Sequence, residues 1–509
     1  MTHQAAHILA SYELAQDHPS ASTGRNHFNG DGASETSISP IDGSTLLEFR
    51  GTSAKQREQV VAKAAEAFAQ WRTVPAARRA QLVSMIARHI KDHADSLAEI
   101  MTVEMGKPLP EAKGEVANVI ATAHYAASLY HTIGGQEFPS QRPDVQLMEK
   151  WHPLGPVLVI SAFNFPYALW AWNAFTALVC GNSVVWKPAP QTPLCTMAMH
   201  KVLAGALAEF GDAPEGLLSY IIGSNEDVAI PLVNDTRFPL VSATGSIPMG
   251  HAVGKAVGAR LGRAILELGG NTAGILTPSA DEEQALRLAF FSATLNGGQR
   301  CTALRRLLVH ESRYDDIVKR LKNAYNSWPV GDVFADGHRL PPMVDQKAAD
   351  HYTAKIEALR KENSVRLFCP DMRLPQKGCY VHPYLAELDA DAPQPQDETF
   401  GPLLYVQPYG TLDEAIAKHN AVEQGLSSGI FSQDMGEIQR FISTTGSDAG
   451  VAMVNDNTGG PEVVLAFGGN KQSGLGSEKG GNSWQQYMRR QSIMLNYSTG
   501  IPADAGIQF

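Results

Sequence analysis

A chain of 509 residues is longer than one compact hydrophobic core organises, so two or three domains are expected, each with ample apolar residues to fold. With 42 basic against 52 acidic residues the net charge is −10, and no dense Lys/Arg run tracks a phosphate backbone; nucleic acid and an anionic membrane are therefore not expected partners. The five cysteines, Cys180, Cys195, Cys301, Cys369 and Cys379, stand singly, with no Cys-x-x-Cys pair and no histidines at ligand spacing, so neither disulfides nor a metal site is expected.

Residues 1–35, rich in Ser, Thr, Asn and Gly, read as an extended or loosely packed arm, and the first 25 carry neither a signal-peptide pattern nor an arginine-rich amphipathic one, which fits a cytoplasmic location. Amphipathic helices follow: Val60, Val61, Ala64, Phe68 and Trp71 recur at helical spacing, as do Leu82, Met85, Ile86 and Ile90, with a later group from Leu97 to Met101. The segments Ile133 to Trp151 and Tyr487 to Tyr497 read as edge strands outside either core, of the kind that makes subunit contacts. From Val157 the pattern becomes short β-branched runs alternating with helical stretches: Val157–Ile160, Ser183–Trp186, Leu217–Ile222, Pro239–Ser242 and Ala264–Leu268. Such a βαβ series predicts a parallel sheet, with ligands collecting where the strands end, at 162–166, 187–190, 243–246 and 267–271. The apolar stretch from Val157 to Cys180 has membrane-spanning length, but Asn164, Pro166 and Asn173 interrupt it. A helix over Asp281–Asn296 leads to Cys301, and strands at Leu307–His310, Leu403–Val406 and Ile430–Ser432 suggest a second α/β domain.

Three features carry chemistry. Cys301, in Gly297-Gly-Gln-Arg-Cys-Thr302, has the small, polar and cationic neighbours that let a thiol be reached and ionised, although a cysteine met at random more often packs as a small hydrophobe. The loop Ser242 to Gly250 joins a strand to a helix; its backbone N–H groups suit a pyrophosphate, while a Thr-Gly-Ser turn by itself is usually just an N-cap. Lys187, ending a buried strand before Pro188, is an odd place for a charge unless it meets a ribose hydroxyl or phosphate.

Taken together, Phe163-Asn-Phe-Pro166, Trp186-Lys-Pro-Ala189, Thr244-Gly-Ser246, Leu266-Glu-Leu-Gly-Gly-Asn271, Gly298-Gln-Arg-Cys301, Glu398-Thr-Phe-Gly-Pro402 and Phe467-Gly-Gly-Asn-Lys-Gln-Ser-Gly474 resemble the aldehyde dehydrogenase superfamily, in the family's order, over roughly residues 35 to 500. The resemblance implies an α/β fold: a Rossmann-type nicotinamide-binding domain, an α/β catalytic domain and a small β oligomerisation lobe, in homodimers or homotetramers. The expected division is an arm at 1–35, an NAD-binding domain at 36–132 and 154–270, a catalytic domain at 271–480, and a lobe with C-terminal tail at 133–153 and 481–509. It further implies Cys301 as nucleophile, Glu267 as general base and Asn164 as oxyanion donor. The cofactor would lie against Lys187, Ser246, Gly245, Thr244, Glu398, Phe400, Ala162, Phe163 and Leu268, and the aldehyde against Arg300, Phe165, Thr302 and Phe467.

Within the superfamily, Gly298 to Arg306, Leu426-Ser-Ser428, Tyr487-Met-Arg-Arg490, Asn496-Tyr-Ser498 and Gly506-Ile-Gln-Phe509 resemble the antiquitin group, which oxidises α-aminoadipic semialdehyde. That resemblance implies NAD as cofactor, with NADP not excluded since Pro190 stands where many members carry a glutamate, and it assigns Arg300 to a substrate carboxylate. The chain departs from the group at Asn118, where a glutamate would contact the substrate amine, and in the loop Asn457 to Glu462. The expected activity is therefore oxidation of an aldehyde to a carboxylic acid, with a carboxylate-bearing semialdehyde such as L-2-aminoadipate 6-semialdehyde as substrate. Another polar or aromatic aldehyde, transfer of the acyl group to coenzyme A, and a non-catalytic protein on the same fold are the alternatives.

Overall fold

The computed structural model describes Ile8 and residues 18–498; the Gly506–Phe509 motif and most of the expected N-terminal arm lie outside the described residues. Residues 19–22 do not belong to a loosely packed arm. Pro19–Ser22 is a strand, with Ser20, Ala21 and Ser22 fully buried, paired antiparallel to Leu218–Ile221 on one side and His27–Asn29 on the other. Its small residues let the backbone come close, a packing that composition alone reads as flexibility.

Four helices follow, Ala54–Trp71, Ala76–Asp92, Ala94–Met105 and Leu109–Ser128. The first begins at a capping box in which Ser53 and Gln56 exchange hydrogen bonds, and it buries Val60, Val61, Ala64, Ala67 and Trp71 along one face. Trp71 donates its indole N–H to the Leu178 carbonyl at 3.0 Å, fixing this helix to the one that follows the first sheet strand. The fourth helix, absent from the sequence reading, carries Glu111, Glu115 and Asn118.

The first sheet has eight strands, and its parallel centre runs Leu218–Ile221, Val184–Lys187, Val157–Ile160, Leu240–Thr244, Arg263–Glu267. The chain starts at the middle strand, adds two strands to one side, then crosses to add two on the other. The loops after Ile160 and after Thr244 therefore diverge, which opens a crevice at the carboxyl end of the sheet. Strand boundaries fall within two residues of the sequence expectation, because Val157–Val159 and Val184–Trp186 are apolar runs buried on both faces. The segment from Val157 to Cys180 is this strand plus the helix Ala168–Val179, and no helix among the described residues is long and apolar enough to cross a membrane.

The second sheet, of seven strands, runs Val365–Phe368, Tyr384–Leu388, Leu403–Tyr409, Arg306–His310, Ala273–Leu276, Ser427–Phe431, Val451–Val454, parallel except at the first. The short strand Gly474–Leu475 then returns to the first sheet, Gly474 opposite Glu267 and Leu475 opposite Leu266, so residues 467–479 lie against the end of the Arg263–Glu267 strand. Gln136–Phe138, Val145–Pro153 and Met488–Asn496 form a separate three-stranded antiparallel sheet.

Candidate active site

Cys301 follows a turn in which Asn296, Gly297 and Gly298 all take left-handed conformations, with φ of 54°, 61° and 72°. Asn296 is one of the few side chains that tolerate this; at Gly298 a Cβ would also stand 2.3 Å from the Gly401 carbonyl. The turn is clamped from beneath by Arg305, fully buried, which donates to the carbonyls of Gly401 at 2.9 Å, Gly298 at 2.5 Å and Arg300 at 3.1 Å. The next residue, Arg306, is equally buried and ties Asn271 to Lys418 and His419 through their carbonyls. The sequence by itself assigns neither arginine a role; their adjacency to the cysteine motif is the signal it offers.

A cavity of about 320 Å³ opens at the cysteine. Cys301, Arg300, Thr302, Phe165 and Phe467, all expected from sequence, line it, together with Lys107, Glu111, Glu115, Asn118, Trp172 and Lys479. Asn118 accepts a hydrogen bond from the Trp172 indole at 2.8 Å, and Arg300 donates to the Gly459 carbonyl at 3.2 Å while its guanidinium stands 5.4 Å from the Phe165 ring. Asn164 is buried one residue before Phe165, at the end of the Ile160 strand. Its carbonyl accepts from Lys107 Nζ at 2.7 Å. Lys107 is itself buried and paired with Glu115, whose second oxygen accepts the backbone N–H groups of Tyr167 and Ala168. The loop bearing Asn164 is thus gripped at two points by side chains from the fourth helix and the turn before it.

Glu267 ends its strand with both carboxylate oxygens buried and without a hydrogen-bond partner among the described residues. Burial first, then the neighbouring Glu478, holds its acid well above the ordinary range, with Lys479 opposing. Glu478 accepts from Asn173 at 3.0 Å and is itself pushed up to about 8 by burial. The segment is pressed against the cysteine: a Cβ at Gly270 would stand 2.3 Å from the Cys301 carbonyl.

One sequence expectation is corrected here. Cys301 is half-buried, and its thiol is pushed up to about 12, by burial first and then by the carboxylates of Glu398, Glu267 and Glu478, with Arg300 only partly offsetting them. The cationic neighbour in sequence is outweighed by three acids that come from chain positions 34 residues before and some 97 and 177 residues after the cysteine.

The expected cofactor residues gather at the carboxyl edge of the first sheet. Ala162 and Phe163 follow Ile160, Lys187 ends the adjacent strand, and Thr244, Gly245 and Ser246 follow the third. The Ser246 hydroxyl accepts from Met249 N at 3.3 Å and so caps the helix Ile247–Ala259, leaving its own O–H to donate elsewhere. Leu268 donates its N–H to Ser473 O at 2.9 Å. Phe400 meets Phe163 edge-on at 5.9 Å. Glu398 is pushed up to about 7 by burial, and its Oε1 has no hydrogen-bond partner among the described residues. Lys187, 2 % exposed, is lowered to about 8 by burial, with Glu35 and Glu226 drawing it back up. A buried lysine, a carboxylate with one oxygen free of hydrogen bonds, and a helix N-terminus whose cap can still donate its O–H fit a group that carries both hydroxyls and phosphates.

The chain matches the aldehyde dehydrogenase family over residues 28–493. It is 39 % identical over 483 residues to alpha-aminoadipic semialdehyde dehydrogenase of Bos taurus, covering 95 % of this chain and 89 % of the relative. It is 37 % identical over 502 residues to aldehyde dehydrogenase family 7 member A1 of Malus domestica, covering 99 % and 98 %. Betaine aldehyde dehydrogenase of Staphylococcus aureus, solved in complex with NAD+, superimposes with a TM-score of 0.91 at 25 % identity, covering 98 % and 99 %. A 3,6-anhydro-L-galactose dehydrogenase in complex with NAP does so at 0.87 and 29 % identity, covering 94 % and 100 %.

Proposed function

Because the chain belongs to the aldehyde dehydrogenase family and is an oxidoreductase of aldehydes, we propose that it oxidises a carboxylate-bearing semialdehyde to a dicarboxylic acid with NAD, using Cys301 as nucleophile, as a cytoplasmic homo-oligomer. The observation that carries this is the convergence of Cys301 and Arg300 in one cavity wall with Glu267 pressed behind them.

The Cys301 thiolate attacks the aldehyde carbon, and the oxyanion of the resulting thiohemiacetal is met by the Asn164 side-chain amide and the Cys301 backbone N–H. Lys107 and Glu115 hold that loop in place, so the amide is aimed before substrate arrives. Lys187, Ser246 and Glu398 would hold a nicotinamide dinucleotide, which when bound supplies the acceptor for the hydride that the thiohemiacetal gives up. Glu267 then takes a proton from the water that opens the Cys301 thioester, releasing the acid and the free thiol. NAD rather than NADP is supported by Glu35 and Glu226, whose carboxylates act on Lys187 and would repel a 2′-phosphate there.

The substrate class rests on Arg300, a guanidinium suited to bidentate grip on a carboxylate. Although Asn118 is neutral, Glu111 lies seven residues earlier on the same helix and lines the same cavity, one oxygen accepting from Asn296 N and the other 3.6 Å from His338 Nδ1 without a hydrogen bond; an amino group on the substrate, as in L-2-aminoadipate 6-semialdehyde, would meet that second oxygen.

The test is purified protein with 6-oxohexanoate and NAD, followed at the absorbance of reduced nicotinamide. Turnover is expected, with Glu267→Gln stalling after one acyl group per Cys301. No absorbance rise with any aldehyde, or full turnover by the variant, would overturn the reading, and a higher kcat/KM with NADP would overturn the cofactor choice.

A further inference from the structure

Lys479 follows no motif singled out in the sequence, yet it stands in the cavity wall with 2 % of its surface exposed. Its Nζ lies 5.0 Å from the centre of the Trp172 ring and 5.7 Å from that of Phe467, a partial aromatic cage. Among the described residues it donates to the carbonyls of Pro461 and Glu462, both at 3.4 Å, the long limit of a hydrogen bond. Arg300 is held by the same loop, through Gly459, and its Nε has no partner. Among the described residues neither cation forms an ion pair, whereas Lys107, the third cation of the cavity, is taken up by Glu115 and Asn164.

A buried ammonium without a counterion is costly, and burial lowers Lys479 to about 8 although Glu478 and Glu267 act to raise it. Those two acids face it from behind, Glu478 occupied with Asn173. An anion entering the cavity between Lys479 and Arg300 would offset the cost of both. Neutral aldehydes bring no such compensation.

We propose that Lys479 is a specificity-determining residue, a second cationic contact that shares the substrate's carboxylate with Arg300. The proposal rests on the aldehyde-oxidising reading above. A carboxylate has two oxygens and about four lone-pair sites, enough for a guanidinium on one side and an ammonium on the other. The aromatic walls of Phe165, Trp172 and Phe467 would enclose the methylene chain between that carboxylate and the aldehyde carbon at Cys301.

Two probes of equal chain length, 6-oxohexanoate and hexanal, separate the possibilities with the NAD-supplemented full chain. Lys479→Met keeps length and apolar packing while removing charge; it is expected to raise KM for 6-oxohexanoate roughly 10- to 100-fold, as loss of a charged hydrogen bond does, and to leave KM for hexanal within about threefold, any fall in kcat from the lost pull on Glu267 being shared by both probes. Lys479→Arg should restore most of the loss, and combining Lys479→Met with Arg300→Ala should cost less than the product of the single effects, since both act on one carboxylate. Equal losses for both probes, carried in kcat with a moved pH profile, would make Lys479 a residue that tunes Glu267 and overturn the proposal; so would an unchanged KM for 6-oxohexanoate. If the unmodified protein oxidises neither probe, it is the aldehyde-oxidising reading that has failed instead.

Discussion

Glu267 and Cys301 are both pushed above their ordinary values by the same packing that brings them together. Both raised values have burial as their first cause, and each is raised further by acids contributed from elsewhere in the chain. The sign follows directly: an acid held above its ordinary value is ionised only at higher pH, so a reaction needing thiolate and carboxylate gains rate as pH rises and loses it as pH falls. We expect kcat/KM for hexanal to go on climbing on the alkaline side of neutrality, and Glu478→Gln, which removes the acid that most raises Glu267 after burial, to move the rising limb to lower pH. A limb that stays in place in the variant would show that Glu478 does not act on the base. Cys301, Glu267 and Asn164, the proposed nucleophile, base and oxyanion donor, were all legible as motifs. Their protonation was not, because the local sequence around Cys301 shows only Arg300, while the acids that outweigh it are distant in sequence.

Two buried helices start without a side-chain cap of their own: Thr192 before Pro193–Phe210 and Tyr167 before Ala168–Val179. Each is capped instead by a glutamate from another helix. Glu104 accepts the N–H groups of Leu194 and Cys195, both at 2.8 Å, and Glu115 accepts those of Tyr167 and Ala168 at 2.9 and 3.0 Å. Capping by a remote carboxylate satisfies the orphan donors of a helix start and complements its dipole, but it leaves no local sequence signal. Glu104 is raised to about 7 from 4.5, by burial against the opposing pull of those hydrogen bonds. With the folded value raised, the folded state holds the proton more tightly, so this group's contribution is present below about 4.5 and lost as pH rises through about 7. Comparing urea unfolding of Glu104→Gln with the unmodified protein should show the variant gaining relative stability across that window; a difference independent of pH would mean the carboxyl does not titrate there. Glu104→Ala, leaving two buried N–H groups unpaired, is expected to cost on the order of 3 kcal/mol.

At the scale of the molecule, the three-stranded sheet stands apart from both larger sheets and exposes Phe138, Met494, Leu495 and Tyr497. Among the described residues the outer edge of Met488–Asn496 has no strand partner, and we propose this edge, with the exposed Met494 and Leu495, as the subunit contact. Light scattering should give the mass of a dimer or tetramer, and Met494→Lys with Leu495→Lys should lower it; an unchanged mass would place the contact elsewhere. Hydrophobic periodicity and β-branched runs, which are local properties, determined the βαβ series at 157–268 and the helix before Cys301, while contiguous motifs such as Gly298-Gln-Arg-Cys301 carry the resemblance to its family. The tertiary structure alone decided three things: that Pro19–Ser22 is a buried strand paired on both sides, that Gly474–Leu475 crosses back to lie beside Glu267, and that Lys479 enters the cavity beside Arg300. Each depends on which distant backbone a segment meets, and pairing across hundreds of residues leaves no period or composition in the segment itself; burial, which sets every charge in the site, exists only once that pairing is made.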